Sequence, residues 1–470
     1  MNQPKKITHR TLSRRLLLAA CAAGILGGAS SASADVTFVG KAVLPGTATD
    51  KSGLNGAILE DGASPNNALN GIGSSIAFAG GNLYYALEDR GPNKIPYSGG
   101  AAVDNTVNYP DRYQQLRIWL TPSGGLDANR HYRGYNVNVT SMGTTLLKNP
   151  SGQQFLGIST AYQFLPPRRL DPETIRTLPD GSSWVSDEYG PFILHFDRQG
   201  NQIESLPLPV GFQIHTPNPQ GAYETKHNTS GRVNNKGMEG LALSPDGKTL
   251  VGMMQSPLIQ DGGTAGINVR IVVYDLNFPN LAPAQYLYQL DSPSFAISEL
   301  LAINNHEFLV DERDAVAGNA GKKLLYRFDL NQAAAPTNLA NSAYPGTTAA
   351  NGFKTKYPTG TPKGVTPLVK TLFADIGQLL VNVPNGGAFT SDTVNFRGDL
   401  PDKLEGYTWG PDLGDGRHLL LVTNDNDFAQ PFTTPGGAIT GRGFPNYIWA
   451  FAVDASDVPG FQKQTFNTTP

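Results

Sequence analysis

Four glutamates, Glu173, Glu239, Glu299 and Glu405, head one recurring stretch: a Glu, a short apolar alternation, a tight turn, and a second apolar run ending in polar residues. The turns are Pro179-Asp180-Gly181, Ser244-Pro245-Asp246-Gly247, Asn304-Asn305 and residues 414–416. In such turns Pro presets φ and Gly permits a left-handed one. The returning runs end at Asp187 and Glu188, at Gln255, at Asp311, Glu312 and Arg313, and at Asn424, Asp425 and Asp427. An earlier copy starts at Ser74 and ends at Glu88, Asp89 and Arg90. A hairpin returns its two ends to one edge of one sheet, so each copy gathers polar groups opposite its turn. The candidate metal ligands are therefore Glu88, Asp89, Glu173, Asp187, Glu239, Glu299, Asp311, Glu405 and Asp425. Carboxylates brought together raise one another's pKa and repel unless a cation stands among them. Oxygen-only donors favour calcium or magnesium, and calcium is the expected ion.

Arg90 and Arg313 each follow an acidic pair directly, and Lys236 lies three residues before Glu239. Guanidinium and ammonium groups beside a metal make a phosphate-binding arrangement. Lys236, Arg90 and Arg313 are thus candidate substrate ligands. Glu239 and Glu299 are candidates to position a water, and Arg90 and Arg313 to stabilise charge developing in a transition state. The competing reading is a solvated acidic rim paired with Arg90, Arg313, Arg176 and Lys236. That reading covers one or two copies well and five poorly.

The elements that would position these groups follow from the spacing. Each hairpin is followed by one or two further strand-like runs, at residues 116–120, 192–197 with 202–208, 269–276 with 284–290, 323–330, and 447–453. One such sheet cannot bury both faces alone, and radial repetition solves this. The expected fold is an all-β, six-bladed β-propeller, with five blades as the alternative. Five units are clear, and residues 100–165 or 340–400 would supply a sixth. Residues 36–43 read as an entry strand that completes the last blade. The first strand of each blade would line the channel, so the leading glutamates converge at one mouth.

Composition agrees: 53 Gly and 35 Pro in 470 residues suit many short strands and turns. Basic residues from Lys5 to Arg15, an apolar run over 16–26, and Ala32-Ser33-Ala34 mark residues 1–34 as a signal peptide. Ser13-Arg14-Arg15-Leu16 is similar to a twin-arginine signal, and a general secretory signal is the alternative. The remainder, 35–470, reads as one domain, periplasmic or secreted. Losing the five basic residues of the leader takes the formal charge from −3 to −8, which argues against nucleic acid or an anionic membrane as partner. It also removes Cys21, the single cysteine, and with it disulfides and a thiol nucleophile. The mature sequence contains no G-x-S-x-G elbow and no H-x-x-x-H pair. A monomer acting on a small phosphoester is expected.

Five stretches together carry a family resemblance: LEDRGPN (87–93), SDEYGPFILHFDRQG (186–200), NNKGMEGLALSPDGKTLVGMMQSPL (234–258), ELLAINNHEFLVDERD (299–314) and KLEGYTWGPDLGDGRHLLLVTNDNDF (403–428). The chain resembles the phytase-like proteins termed esterase-like activity of phytase, over roughly residues 70–455. The resemblance implies an exported propeller-like domain with phosphoester hydrolysis as its activity. It brings no catalytic set, so the residues named above rest on the hairpins. Asn424-Asp425-Asn426-Asp427-Phe428 is longer than the expected Asp-Asn-Asn-Phe type of ending. The readings kept beside a calcium-dependent phosphoester hydrolase are a non-catalytic propeller with a structural ion and a metal-dependent lactonase or esterase.

Overall fold

The computed structural model describes residues 34–44, 48–93, 106–209, 211–333, 359–362, 364–384, 387–389, 397–428, 432–433, 439–440 and 444–466. The signal peptide, apart from Ala34, and residues 94–105 lie outside them. The strand that opens the described chain, β1 (Val36–Leu44), pairs at the far end of the sequence. Blade one is β2 (Ser75–Phe78), β3 (Leu83–Leu87), β4 (Arg112–Leu126) and β5 (Tyr132–Leu146). Blade two is β6 (Pro172–Thr177), β7 (Ser183–Asp187), β8 (Ile193–Phe196) and β9 (Gln202–Ser205), followed by the short helix α1 (Gly221–His227). Blade three is β10 (Met238–Leu243), β11 (Thr249–Met254), β12 (Asn268–Asp275) and β13 (Ala284–Gln289). Blade four is β14 (Ala296–Ala302), β15 (Glu307–Arg313), β16 (Lys323–Asp329) and β17 (Lys370–Asp375), with helix α2 (Ile376–Val381) after it. Blade five is β18 (Leu404–Trp409) and β19 (His418–Asn424), then, past a two-residue pair β20 (Phe432–Thr433) and β21 (Ile439–Thr440), β22 (Asn446–Val453), with β1 outermost.

The fold is a five-bladed β-propeller. The inner strands β2, β6, β10, β14 and β18 pack in cyclic order, with β18 returning to β2. The six-blade count fails because both spare segments are used up. Residues 112–146 are the long outer hairpin of blade one, and residues 370–375 are the outer strand of blade four. The entry strand completes blade five, with Val36 opposite Val453 and Leu44 opposite Asn446.

Sequence explains which strand goes where. The inner strand Met-Glu-Gly-Leu-Ala-Leu of blade three is buried at every position, whereas outer β9 alternates half-buried and exposed. Apolar residues of neighbouring blades, such as Leu241, Val251, Leu300, Phe308 and Val310, meet in a common core. The predicted turn forms between β10 and β11: the Gly247 N–H donates to the Ser244 carbonyl at 2.8 Å, and Gly247 takes φ +71°. These turns lie at one mouth of the channel, so the leading glutamates lie toward the other.

Candidate metal centre at the channel mouth

A β-bulge marks each leading glutamate. Strand register shifts between Pro172 and Ile175, Met238 and Gly240, Ile297 and Leu300, and Leu404 and Gly406. A bulge re-aims the side chain it carries. Glu173, Glu239 and Glu405 thereby line a cavity of about 250 Å³ at the mouth, with Asp89, Arg90, Glu188, Lys236, Gln255, Arg313 and Lys403. Glu299 bulges too, yet it turns down the channel.

Two groups of carboxylates have oxygens within 4.8 Å of one another: Asp89 with Asp425 and Asp427, and Asp171 with Glu173 and Glu188. The first group already encloses a cation. Lys403 Nζ lies 2.6 Å from Asp425 Oδ2 and 2.8 Å from Asp427 Oδ1. The second meets Arg90, whose Nη1 is 2.9 Å from Asp171 Oδ2 and 3.8 Å from Glu188 Oε2. Arg90 also donates from its backbone N–H to Asp171 Oδ1 and from its side chain to Asn235. Both oxygens of Glu188 lack a hydrogen-bond partner although the residue is 1% exposed, and so does Glu239 Oε2 at 2%. Burial, then Asp171, lifts the Glu188 carboxyl well above its usual range. Burial, then Glu239, does the same to Glu173. Glu239 is pushed up to about 8, by burial first and then by Glu405.

Arg313 donates to Glu405 and, at 2.6 Å, to Ser298 Oγ. Lys236 differs from the other three cations. Its Nζ donates to the neutral Gln255 Oε1 at 2.7 Å, and no carboxylate lies within 4.0 Å of it among the described residues.

The remaining predicted ligands are placed elsewhere. Glu88 accepts from Tyr109 and, at 2.7 Å, from Gln114 Nε2, beneath blade one. Asp187 accepts the backbone N–H groups of Asp171, Tyr189 and Gly190 at 2.7–3.1 Å, which ties the turn after β7. Asp311 faces Tyr407 at 3.4 Å, with its other oxygen unpartnered. Glu299 Oε1 lies 2.6 Å from Arg176 Nη2 and accepts from Thr174 Oγ1, while Oε2 accepts from Ser75 Oγ. Strand alternation explains the pattern. In blade two Asp187 is opposite Pro172 in the ladder, so the next residue, Glu188, turns to the cavity. In blade five Asn424 is opposite Leu404, and the next residue, Asp425, accepts from Lys403 Nζ at 2.6 Å. Sequence reasoning passed over Asp171, Glu188, Asp427, Lys403 and Asn235 as ligands. Asp171 and Lys403 each stand two residues before a leading Glu, a same-face spacing that was available as a signal.

Backbone strain collects at this mouth. Asn235, Asp427 and Phe428 take left-handed φ of +54°, +51° and +52°. Such conformations in residues other than Gly persist only where the surroundings hold them, as functional sites do. Phe428 is locked edge-on to Tyr109, with ring centroids 5.1 Å apart.

Below the cavity the Arg176–Glu299 pair blocks the channel. Arg176 donates to the carbonyls of Leu241, Ile175 and Leu300, so it ties three blades together. Beneath it lies a mostly apolar chamber of about 340 Å³, with Phe78, Leu243, Leu301 and Trp409 among its walls. The C-terminal segment closes one side: Phe461 packs on Trp409 at 4.9 Å, and Gln464 Nε2 donates to the Thr177 carbonyl at 2.6 Å.

The mouth fits a hard cation. Neither carboxylate group includes His or Cys, and buried carboxylate oxygens without partners are the atoms a divalent ion would satisfy. Each set meets one cation, Arg90 or Lys403; Asp171, Glu173 and Glu188 are the better set, because both Glu188 oxygens still lack a hydrogen-bond partner.

A family model described as phytase-like, esterase-like activity of phytase, matches residues 67–428. An uncharacterised secreted protein of Arthroderma benhamiae is 26% identical over 476 aligned residues, covering 83% of this chain and 86% of that protein. Among solved structures, a gluconolactonase of Xanthomonas campestris is 11% identical with a TM-score of 0.28, covering 79% of this chain and 90% of its own. The allergen Mala s 1 of Malassezia sympodialis is 11% identical with a TM-score of 0.32, covering 87% and 84%. The matched span runs from the approach to blade one through Phe428 and takes in all four Glu-led hairpins, and the chain belongs to the phytase-like family, esterase-like activity of phytase.

Proposed function

We propose that this protein is an exported, calcium-dependent phosphoester hydrolase acting at the channel mouth. One observation carries the reading: buried carboxylates outnumber the cations around a single cavity, and three of their oxygens, on Glu188 and Glu239, have no partner. Asp171, Glu173 and Glu188 would hold the ion. Calcium there supplies positive charge for phosphate oxygens and acidifies a bound water. Lys236 binds the phosphate, since its Nζ is bonded to the neutral Gln255 and makes no ion pair within 4.0 Å among the described residues. Arg90 keeps an unpartnered Nε donor for the same group. Arg313 is engaged with Glu405 and Ser298, so its part is to hold Glu405 in place.

Glu239 Oε2 is the proton-holding atom in this reading. A carboxyl pushed up to about 8 exchanges its proton near neutral pH. In its ionised form, which a cation bound beside it would favour, it accepts the proton of the attacking water as the new phosphorus–oxygen bond forms. The bond to the alcohol oxygen breaks, and the alcohol leaves with that proton. Glu299 does not share this role, because its oxygens are already bonded below the cavity. Export is supported by the leader at 1–34 and by the secreted relative.

The test is phosphate release from 4-nitrophenyl phosphate and from myo-inositol hexakisphosphate, with calcium and with chelator. Calcium-dependent turnover of at least one is expected. No turnover of either, with a melting temperature that falls on chelation, would leave only a structural ion. Turnover of lactones or aryl carboxylic esters instead would move the chemistry to acyl transfer.

A further inference from the structure

The charges at the mouth also constrain the substrate. We propose that the site takes a monophosphate ester on a small, uncharged, apolar body, and that it rejects polyphosphorylated substrates. This inference rests on the hydrolase reading above.

The first observation is the distribution of cations. Arg90, Arg313 and Lys403 are each paired with buried acids, through Asp171, Glu405, and Asp425 with Asp427. Lys236 alone, among the described cations of the cavity, makes no ion pair within 4.0 Å; it donates to the neutral Gln255. Asp89, Glu173, Glu188, Glu239 and Glu405 line the same space. The Lys236 ammonium and one divalent ion can answer a phosphate of charge about −1.5 to −2. A substrate bearing several such groups would press its excess charge against the carboxylate wall, and like-charge contact is a strong device for excluding a ligand.

The second observation is the opposite lip. Between blades three and four the cavity is bounded by Pro257, Thr264, Pro293, Phe295 and Ala315, which carry no charge. Phe295 is half-buried and lies beside the site. A volume of about 250 Å³ is below the usual range for drug-sized ligands, so the body must be small. Among the described residues, no cation stands on that lip to receive a second phosphate.

Calcium-loaded protein is assayed on phenyl phosphate, glycerol 2-phosphate and myo-inositol hexakisphosphate. Binding of phenylphosphonate, inorganic phosphate and the hexakisphosphate is measured in parallel by calorimetry. The expected kcat/KM on phenyl phosphate exceeds that on the hexakisphosphate by about 100-fold, a gap that narrows as salt screens the repulsion. Glycerol 2-phosphate falls between them. Phenylphosphonate binds more tightly than phosphate, and Lys236→Ala weakens it by about tenfold or more while the melting temperature holds. Equal or better turnover of the hexakisphosphate, or tighter binding of it, would overturn the inference and leave the hydrolase reading standing. Phenylphosphonate affinity unchanged in Lys236→Ala would overturn the assignment of that lysine. Failure to turn over any of the three would bring down both readings.

Discussion

Replacing Arg176 with Met tests the channel floor. The side chain is 6% exposed and Glu299 is 1% exposed, so the change strands a buried carboxylate. Removing one partner of a buried ion pair costs about 3–5 kcal/mol. The carbonyls of Leu241, Ile175 and Leu300 also lose their shared donor, so the upper end, about 5 kcal/mol, is expected. Glu299→Gln should cost less, about 1–2 kcal/mol, because Arg176 keeps its carbonyls and the amide oxygen can still accept from Ser75 or Thr174. The double variant Arg176→Met/Glu299→Leu removes the stranded charge and should be more stable than Arg176→Met alone. Urea unfolding at pH 8 is the measurement, above the value of about 7 to which burial lifts Glu299 against the pull of Arg176. Lowering the pH to 5.5 should shrink the Arg176→Met penalty, since Glu299 can then fold neutral. A penalty under about 1 kcal/mol, or a double variant no better than the single, would refute the buried-pair account.

Three further outcomes are expected. Glu188→Gln removes a buried, unpartnered carboxylate; it should raise the melting temperature in chelator and abolish the rise that calcium gives the parent protein, both read by thermal shift. Gly237→Ala should destabilise by about 1–3 kcal/mol and weaken calcium binding, because its Cβ would stand 2.0 Å from the Glu188 carbonyl oxygen; calorimetry and urea titration check this. Asp415 is held down at about 2, against burial, by Arg417 and by the Tyr132 and Arg417 backbone N–H groups. Its folded pKa lies below the unfolded value of about 3.9. Its contribution is therefore present above about pH 4 and drains as pH falls toward 2, so Asp415→Asn should flatten that part of the acid-unfolding curve.

Much of this was legible from the sequence. The Glu-led hairpins, their Gly turns and the entry strand that closes blade five all follow from periodicity and local turn chemistry. The blade count was not legible, because strand signals alone do not say whether residues 112–146 start a sheet or extend one. The gathering of acids at the mouth was legible only in part: Asp89, Glu173, Glu239 and Glu405 line the cavity, whereas Glu88, Asp187, Glu299 and Asp311 are bonded elsewhere. Asp187 and Glu188 are equally acidic in sequence, and only the bulge beside Glu173 decides which of them faces the cavity. The separation of Glu299 from the other leading glutamates depends on Arg176, a residue of another blade, and no spacing within blade four reveals it. The apolar chamber and the C-terminal segment beside it also depend on contacts made across the ring.

The two ends of the described chain meet in blade five, where nine residues near the start lie against the last strand made. The ring thus stays unsealed during synthesis until β22 has left the ribosome. In a chain without β1, β22 presents a bare backbone edge, the kind of surface that recruits stray strands. A free peptide with the sequence of residues 34–44 has the complementary pattern for that edge. It would serve as a detachable clasp for a chain that lacks its own, much as a missing stave can be slotted back into a barrel.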